Sequence, residues 1–362
     1  MNASAPVARR SPSLTAQLGL SERIFSTAPD RALARAIDDG LERVEAGMVQ
    51  QLSFADAVAD VSTRYLLEAG GKRVRPMLTL LTAQLGRGNT PEVLSAAQAI
   101  EITHLGSLYH DDVMDEAEKR RGVPSAQTVW GNNVAILTGD LLFARANQLM
   151  TELGERAIRL QTDTFERLVL GQLHETVGPG AGEDPVEHYL GVLADKTGSL
   201  IAAAARTGVV FSEAPAPFEE AVRVFGEKIG VAFQIVDDVI DLSPQPEETG
   251  KNPGTDIRAG VSTLPILRLR ERAATDRDAA VLLARIESYV SRTNDAIAHT
   301  DEQSADISDA IAQLRDHPVT AQTLAEAHAW ADEAVAALAP LPDGPVRKAL
   351  TRFADTVVDR NG

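Results

Sequence analysis

The 362-residue chain contains no cysteine. Disulfide bridges, thiolate nucleophiles and cysteine-ligated zinc are therefore excluded, and the absence fits a reducing compartment. Surplus positive charge is missing too: 35 Lys and Arg stand against 52 Asp and Glu, a formal net charge of −17. With no spare cations to displace counterions from a phosphate backbone, nucleic acid is not an expected partner. No run approaches the ~20 apolar residues of a membrane span. The opening MNASAPVARRSPSLTAQLGL has no long apolar core behind its charges, which argues against a secretory signal. The expectation is a cytoplasmic protein with no transmembrane segment. Alternating β-branched runs are also scarce, which leaves little material for a sheet.

What the chain does have is helix. Its composition, 44% hydrophobic and 24% charged, is that of a globular protein. Residues 1–30, rich in Ala, Ser, Pro and Arg, read as a mobile tail. From there to residue 362 apolar residues recur at three- and four-residue spacing, which predicts one all-α domain over 31–362. In LGRGNTPEVLSAAQAIEITHLGSLYHDDVMDE a helix start is spelled out: Thr90 as N-cap, Pro91 at the first helical position, Glu92 in the first turn. HYLGVLADKTGSLIAAAARTGVVF and FEEAVRVFGEKIGVAFQIVDDVIDL predict two more long helices, and Pro244 and Pro246 stop the second. The irregular stretch 243–265 is long enough to be functional or disordered.

Residues 111–118 put five carboxylates into eight positions, and Lys119, Arg120 and Arg121 follow at once. On a helix Asp111 and Asp115 share one face, with Asp112 adjacent. The spelling recurs as DDVID, with Asp237, Asp238 and Asp241. A single acidic run is usually a solvated helix face. The second copy is flanked by core residues, and carboxylates are almost never buried without partners. Two such boxes, each ending an apolar helix, predict one cavity with acidic walls facing each other. Oxygen donors without His or Cys suit magnesium, which bridges carboxylates to substrate phosphates.

The cations match that reading. Gly70 and Gly71 precede Lys72, Arg73 and Arg75 in AGGKRVRPML, where glycines permit close approach and arginine forks recognise phosphate. His104 lies two turns before Asp111. Lys196 and Thr197 interrupt an apolar helix, and Lys251 sits in the irregular loop. Each of these alone reads as easily as a solvated surface feature.

In order and spacing, GGKRVRP, HDDVMDEAEKRRG, KTG, FQIVDDVID and GKNPGTD closely resemble the trans-isoprenyl diphosphate synthases, the polyprenyl synthetase family, from about residue 30 onward. The resemblance implies a bundle of long helices around a deep cavity, usually a homodimer. It assigns a cluster of magnesium ions, three of them, to Asp111 and Asp115, with Asp112 nearby, and to Asp237 and Asp241, with Asp238 beside them. It assigns the allylic diphosphate to Arg120, Lys196 and Lys251, with Thr197 and Gln234 close by, and isopentenyl diphosphate to Lys72, Arg75, His104 and Arg121. The implied reaction ionises the allylic substrate and needs no protein nucleophile or side-chain base. One departure stands out: Val261 occupies a position where the family often has lysine.

In this family the residues four and five before the first box line the cavity floor. Here they are Ser107 and Gly106, both small, which predicts an all-trans product longer than geranylgeranyl diphosphate, although Tyr109 could still form a floor. The alternatives are a geranylgeranyl or farnesyl diphosphate synthase, a terpene cyclase, a non-catalytic subunit of a heteromeric synthase, or a helical scaffold. A cyclase has no use for GGKRVRP, a partner subunit generally loses box residues, and a scaffold leaves both boxes unexplained. A greasy product also makes peripheral membrane contact plausible for its release.

Overall fold

The computed structural model describes residues 27–244, 253–294 and 300–360. The all-α expectation holds: among the described residues the one sheet is a hairpin of two-residue strands, β1 (Lys119–Arg120) and β2 (Val123–Pro124). In chain order the first helices are α1 (Ala28–Gln51), α2 (Ala57–Glu68), α3 (Val74–Ala83), α4 (Pro91–Met114), α5 (Ala126–Trp130), α6 (Asn132–Glu152), α7 (Glu155–Val177) and α8 (Pro185–Leu193). A π-helical turn, Ala194–Gly198, leads to α9 (Ser199–Phe211) and α10 (Pro217–Asp241). The remainder are α11 (Thr255–Arg258), α12 (Leu264–Ala273), α13 (Arg277–Asn294), α14 (Asp301–Asp316), α15 (Pro318–Ala337) and α16 (Pro345–Val358).

Residues 1–26 of the expected tail, and Pro246 and Lys251 of the irregular stretch, lie outside the described residues. Helix α1 begins at Ala28 because the Thr27 hydroxyl accepts from Asp30 N at 3.3 Å and Pro29 fits the first turn. The start read for α4 is confirmed, with Thr90 Oγ1 accepting from Val93 N at 3.3 Å. Helix α10 ends at Asp241, three residues ahead of Pro244. The segment read as one helix over 188–211 is instead α8, the π turn and α9 in succession. The wider turn lets the chain pass Gly171 of α7, where a β-carbon would lie 2.6 Å from Lys196 N.

The chain divides into two compact units. The first comprises Met1–Glu166, Ser199–Gly226 and Ala337–Arg352. Its centre is α4, packed by α1, α3, α6 and α9 and buried along most of its length because Ala96, Ala97, Ala99 and Gly106 let neighbours approach. Between α3 and α9 two threonines serve as fasteners: Thr79 Oγ1 donates to Ala204 O and Thr82 Oγ1 to Ala205 O, each at 2.8 Å. The second unit comprises Arg167–Gly198, Glu227–Ala336 and Phe353–Gly362. Its core is a cluster that includes Leu242, Ile257, Leu269, Ile286, Ile311 and Leu314.

Candidate active site

Helix α4 delivers the first acidic box at its C-terminal end. Asp111 and Asp112 lie in the last turn, and Asp115 is the C-cap, its N–H donating to Asp111 O at 2.8 Å. Asp115 is exposed and Asp111 half-buried, whereas Asp112 is fully buried. Burial raises the Asp112 carboxyl above its usual range, against the pull of Arg120, whose Nε donates to Oδ1 at 2.6 Å. The other oxygen, Oδ2, is buried with no hydrogen-bond partner among the described residues.

A hairpin brings Arg120 back. Strands β1 and β2 pair antiparallel through a loop of just Arg121 and Gly122, with φ of 54° and 78°. Positive φ at both positions is the signature of the tight turn whose twist matches paired strands, and Gly122 supplies it without strain. The reversal aims Arg120 at Asp112 and Arg121 at the end of α2, where its Nη1 donates to Leu66 O at 2.8 Å and to Gly70 O.

The glycine-led cations assemble beside it. Arg73 caps α3 at φ 51° and is 3% exposed. Its guanidinium reaches Glu45 at 2.5 Å, Glu101 at 3.2 Å, Leu67 O at 3.0 Å and Gly70 O at 3.3 Å. Lys72 is exposed and Arg75 half-buried. Burial lowers the Arg75 pKa, with Glu101 opposing it, and Arg75 Nε is buried without a partner among the described residues. Burial first, and then Arg75, Arg121, Arg73 and Arg120, hold His104 well below the usual imidazole range. It is therefore neutral at pH 7. Burial pulls Arg121 down to about 10, with Glu101 resisting. Buried positive charge thus exceeds the buried carboxylate that faces it, which is the electrostatic form of an anion site.

The small residues on α4 do not simply leave room. A β-carbon on Gly106 would lie 2.9 Å from Phe143 Cε1, so the α6 ring already fills that space. Phe143 in turn packs on Phe165 at 4.6 Å between centroids. Ser107 Oγ donates to His104 O at 2.9 Å. Tyr109 is fully buried and tied to α2 through Ser62 O and Leu66 N, so it acts as core.

The second box, in the second unit, follows the same plan. Asp238 is 6% exposed; it accepts from Tyr189 Oη at 2.7 Å and from Leu264 N at 3.3 Å. Burial pushes its carboxyl up to about 8. Its neighbours are more open. Asp237 Oδ1 accepts from Arg360 Nη2 at 2.8 Å, and Asp241 Oδ2 from Asp256 N at 3.1 Å. In both boxes, then, the middle acid is buried and anchored by protein donors while its flanking acids are more exposed. Gln234 is half-buried on α10. Lys196 and Thr197 sit in the π turn, Lys196 bonded to Glu175, with Arg167 beside them bridging Asp195 at 2.7 Å and Glu227 at 2.6 Å. Val261, 45% exposed, supplies no cation.

Among the described residues no three acidic or histidine side chains already form a metal cage. The donor set nonetheless suits a hard divalent ion that keeps several waters: oxygen only, partly open, with one buried acid oxygen left over at Asp112. The sequence singled out these acids and cations by their motifs. It missed Glu101, Tyr189, Glu175 and Arg360, which hold those groups from positions with no motif of their own.

The polyprenyl synthetase family model matches residues 57–300. The chain belongs to that family. Among its polyprenyl synthetase relatives is the nonaprenyl diphosphate synthase of Mycobacterium tuberculosis (strain ATCC 25618 / H37Rv), 44% identical over 92% of this chain and 96% of that one. A decaprenyl diphosphate synthase structure from Rhodobacter capsulatus superposes with a TM-score of 0.78 at 34% identity, covering 91% of this chain and 99% of the other. A geranylgeranyl pyrophosphate synthase from Corynebacterium glutamicum, complexed with calcium and isoprenyl diphosphate, gives 0.75 at 38% identity, covering 90% and 96%. This family member is an enzyme of prenyl transfer, with no described helix long and apolar enough to cross a membrane.

Proposed function

We propose that this prenyltransferase joins isopentenyl diphosphate head-to-tail to an allylic diphosphate and releases an all-trans polyprenyl diphosphate longer than geranylgeranyl diphosphate. The observation that carries the reading is the buried surplus of positive charge around His104, to which Arg73 and Arg75 of the glycine-led segment and Arg121 of the hairpin contribute. A chain that only ionised an allylic diphosphate would have no use for it. The 44% identity to a nonaprenyl diphosphate synthase supports the longer product.

On this reading Lys72, Arg75, His104 and Arg121 bind isopentenyl diphosphate. Neutral His104 contributes a hydrogen bond while the guanidiniums supply charge. Arg120, Lys196, Thr197, Gln234 and Lys251 bind the allylic diphosphate. Asp111, Asp115, Asp237 and Asp241 would hold the three magnesium ions; Asp112 and Asp238, each anchored by protein donors, fix the helix ends that present them. The Corynebacterium structure, complexed with calcium and isoprenyl diphosphate, supports a divalent site. The chemistry magnesium would supply when bound is neutralisation of negative charge on the leaving diphosphate. Arg120 and Lys196 add to that stabilisation. The isopentenyl double bond then attacks the cation, and the departing diphosphate takes the proton whose loss completes the product.

We place the enzyme in the cytoplasm as a homodimer. Support for association comes from α6, which leaves Ile136, Leu137 and Leu141 exposed in the first unit, Leu137 at 62%. The test is incubation with magnesium, farnesyl diphosphate and labelled isopentenyl diphosphate, followed by extraction. Labelled chains beyond geranylgeranyl are expected. An unlabelled cyclic hydrocarbon would show a cyclase, and turnover only with a second, added chain would show a partner subunit.

A further inference from the structure

Glu101 is 2% exposed and lies one turn before His104 on α4. Its Oε1 is 3.2 Å from Arg73 Nη1 and 4.0 Å from Arg121 Nη2. It is also the acid whose charge acts on Arg75. Three guanidiniums therefore share one buried carboxylate. Like charges this close in a poorly screened interior repel strongly, and exposed alternatives exist for long side chains.

Arg73 differs from its neighbours. Four of its five donors are taken up by Glu45, Glu101, Leu67 O and Gly70 O, so little is left for a phosphate. Its backbone adopts φ 51°, a conformation that costs free energy for a residue with a side chain. The contacts offset that cost and pin the turn that launches α3, on which Arg75 stands. Arg73 thus fixes the same Glu101 oxygen, Oε1, that lies nearest Arg121.

We infer that Glu101, held by Arg73, is a positioning residue for isopentenyl diphosphate: it lets Arg75 and Arg121 stand near each other before the anion arrives. The inference rests on the isopentenyl assignment proposed above. It makes a prediction opposite to simple charge counting. Removing a carboxylate from a cationic pocket raises its positive charge, so counting alone predicts tighter anion binding. Loss of positioning predicts weaker binding.

The test compares wild type with Glu101→Gln, which keeps the shape and removes the charge, and with Glu45→Gln, which loosens Arg73 only from its more open side. Steady-state KM values are measured for both substrates, and calorimetry follows isopentenyl diphosphate binding to the protein without magnesium. For Glu101→Gln the isopentenyl KM and dissociation constant rise about tenfold, the size of one charge-assisted hydrogen bond. The allylic KM stays within about twofold, and Glu45→Gln shifts the same constants in the same direction by a few-fold. Unchanged or tighter isopentenyl binding overturns the inference, as does a rise in both KM values together. Should Glu101→Gln fail to fold, the Glu45→Gln pattern decides alone. A wild type that forms no prenyl product would refute the proposed reaction and leave the calorimetric comparison standing.

Discussion

Arg360, near the end of the chain, donates to the first acid of the second box, where the proposed reaction requires a metal ion. Its Nη2 lies 2.8 Å from Asp237 Oδ1, its guanidinium stacks 4.1 Å from the Phe233 centroid, and its other bonds go to Phe233 O and Val357 O. A divalent ion and a guanidinium repel each other, so metal binding at Asp237 works against this pair. At an effective dielectric constant near 20, charges about 4 Å apart attract by roughly 4 kcal/mol. Asp237 is 42% exposed, and solvent screening reduces the net value to about 1 kcal/mol. Arg360→Ala should therefore tighten metal binding about fivefold in the absence of substrate. The assay is a manganese titration followed by the paramagnetic resonance of free ion, with Asp237→Asn as the variant that loses the site. Weaker or unchanged binding in Arg360→Ala would show that the arginine orients the carboxylate and does not compete for it.

Three further outcomes concern α4 and its neighbour α6. Phe143→Ala should lengthen the product by at least one isoprene unit, because the ring occupies the space beside Gly106; an unchanged chain-length profile refutes that role. Gly106→Phe should shorten the product, and only by displacing Phe143, so it should also lower stability by about 1–3 kcal/mol, read from denaturant unfolding. His104 is held neutral in the fold, whereas the unfolded chain takes up its proton near pH 6.5. The unfolded state then binds more protons, so this residue's contribution to stability falls as pH drops below about 6.5. The difference in unfolding free energy between wild type and His104→Gln should therefore shift in the variant's favour between pH 7.5 and 5.5, and a pH-independent difference refutes it.

Much of this was legible in the chain. Thr90, Pro91 and Glu92 announced α4 because capping is local chemistry, and proline marked the end of α10 for the same reason. The boxes were legible because their helix-end position and apolar flanks lie within one short window. The supports were not. Tyr189 is 49 residues from Asp238, and Arg360 is 123 residues from Asp237, so no local pattern joins them. In GGKRVRP the resemblance gave roles to Lys72 and Arg75 and none to Arg73, without a physical reason. The structure supplies that reason: Arg73 is used up in holding the turn, whereas Arg75 Nε lacks a partner among the described residues. Gly106 was read as space because sequence shows what a residue lacks and not which neighbour, here Phe143, moves into the room.

That both carboxylate boxes serve one prenyl condensation is tested most directly by running the labelled incubation on Asp111→Ala and Asp237→Ala beside the wild-type enzyme, with helix content checked by circular dichroism. Each variant should keep its helices and lose on the order of a hundredfold or more in turnover, with labelled long chains formed by wild type alone. Full turnover in either variant would mean that its box takes no part in the chemistry.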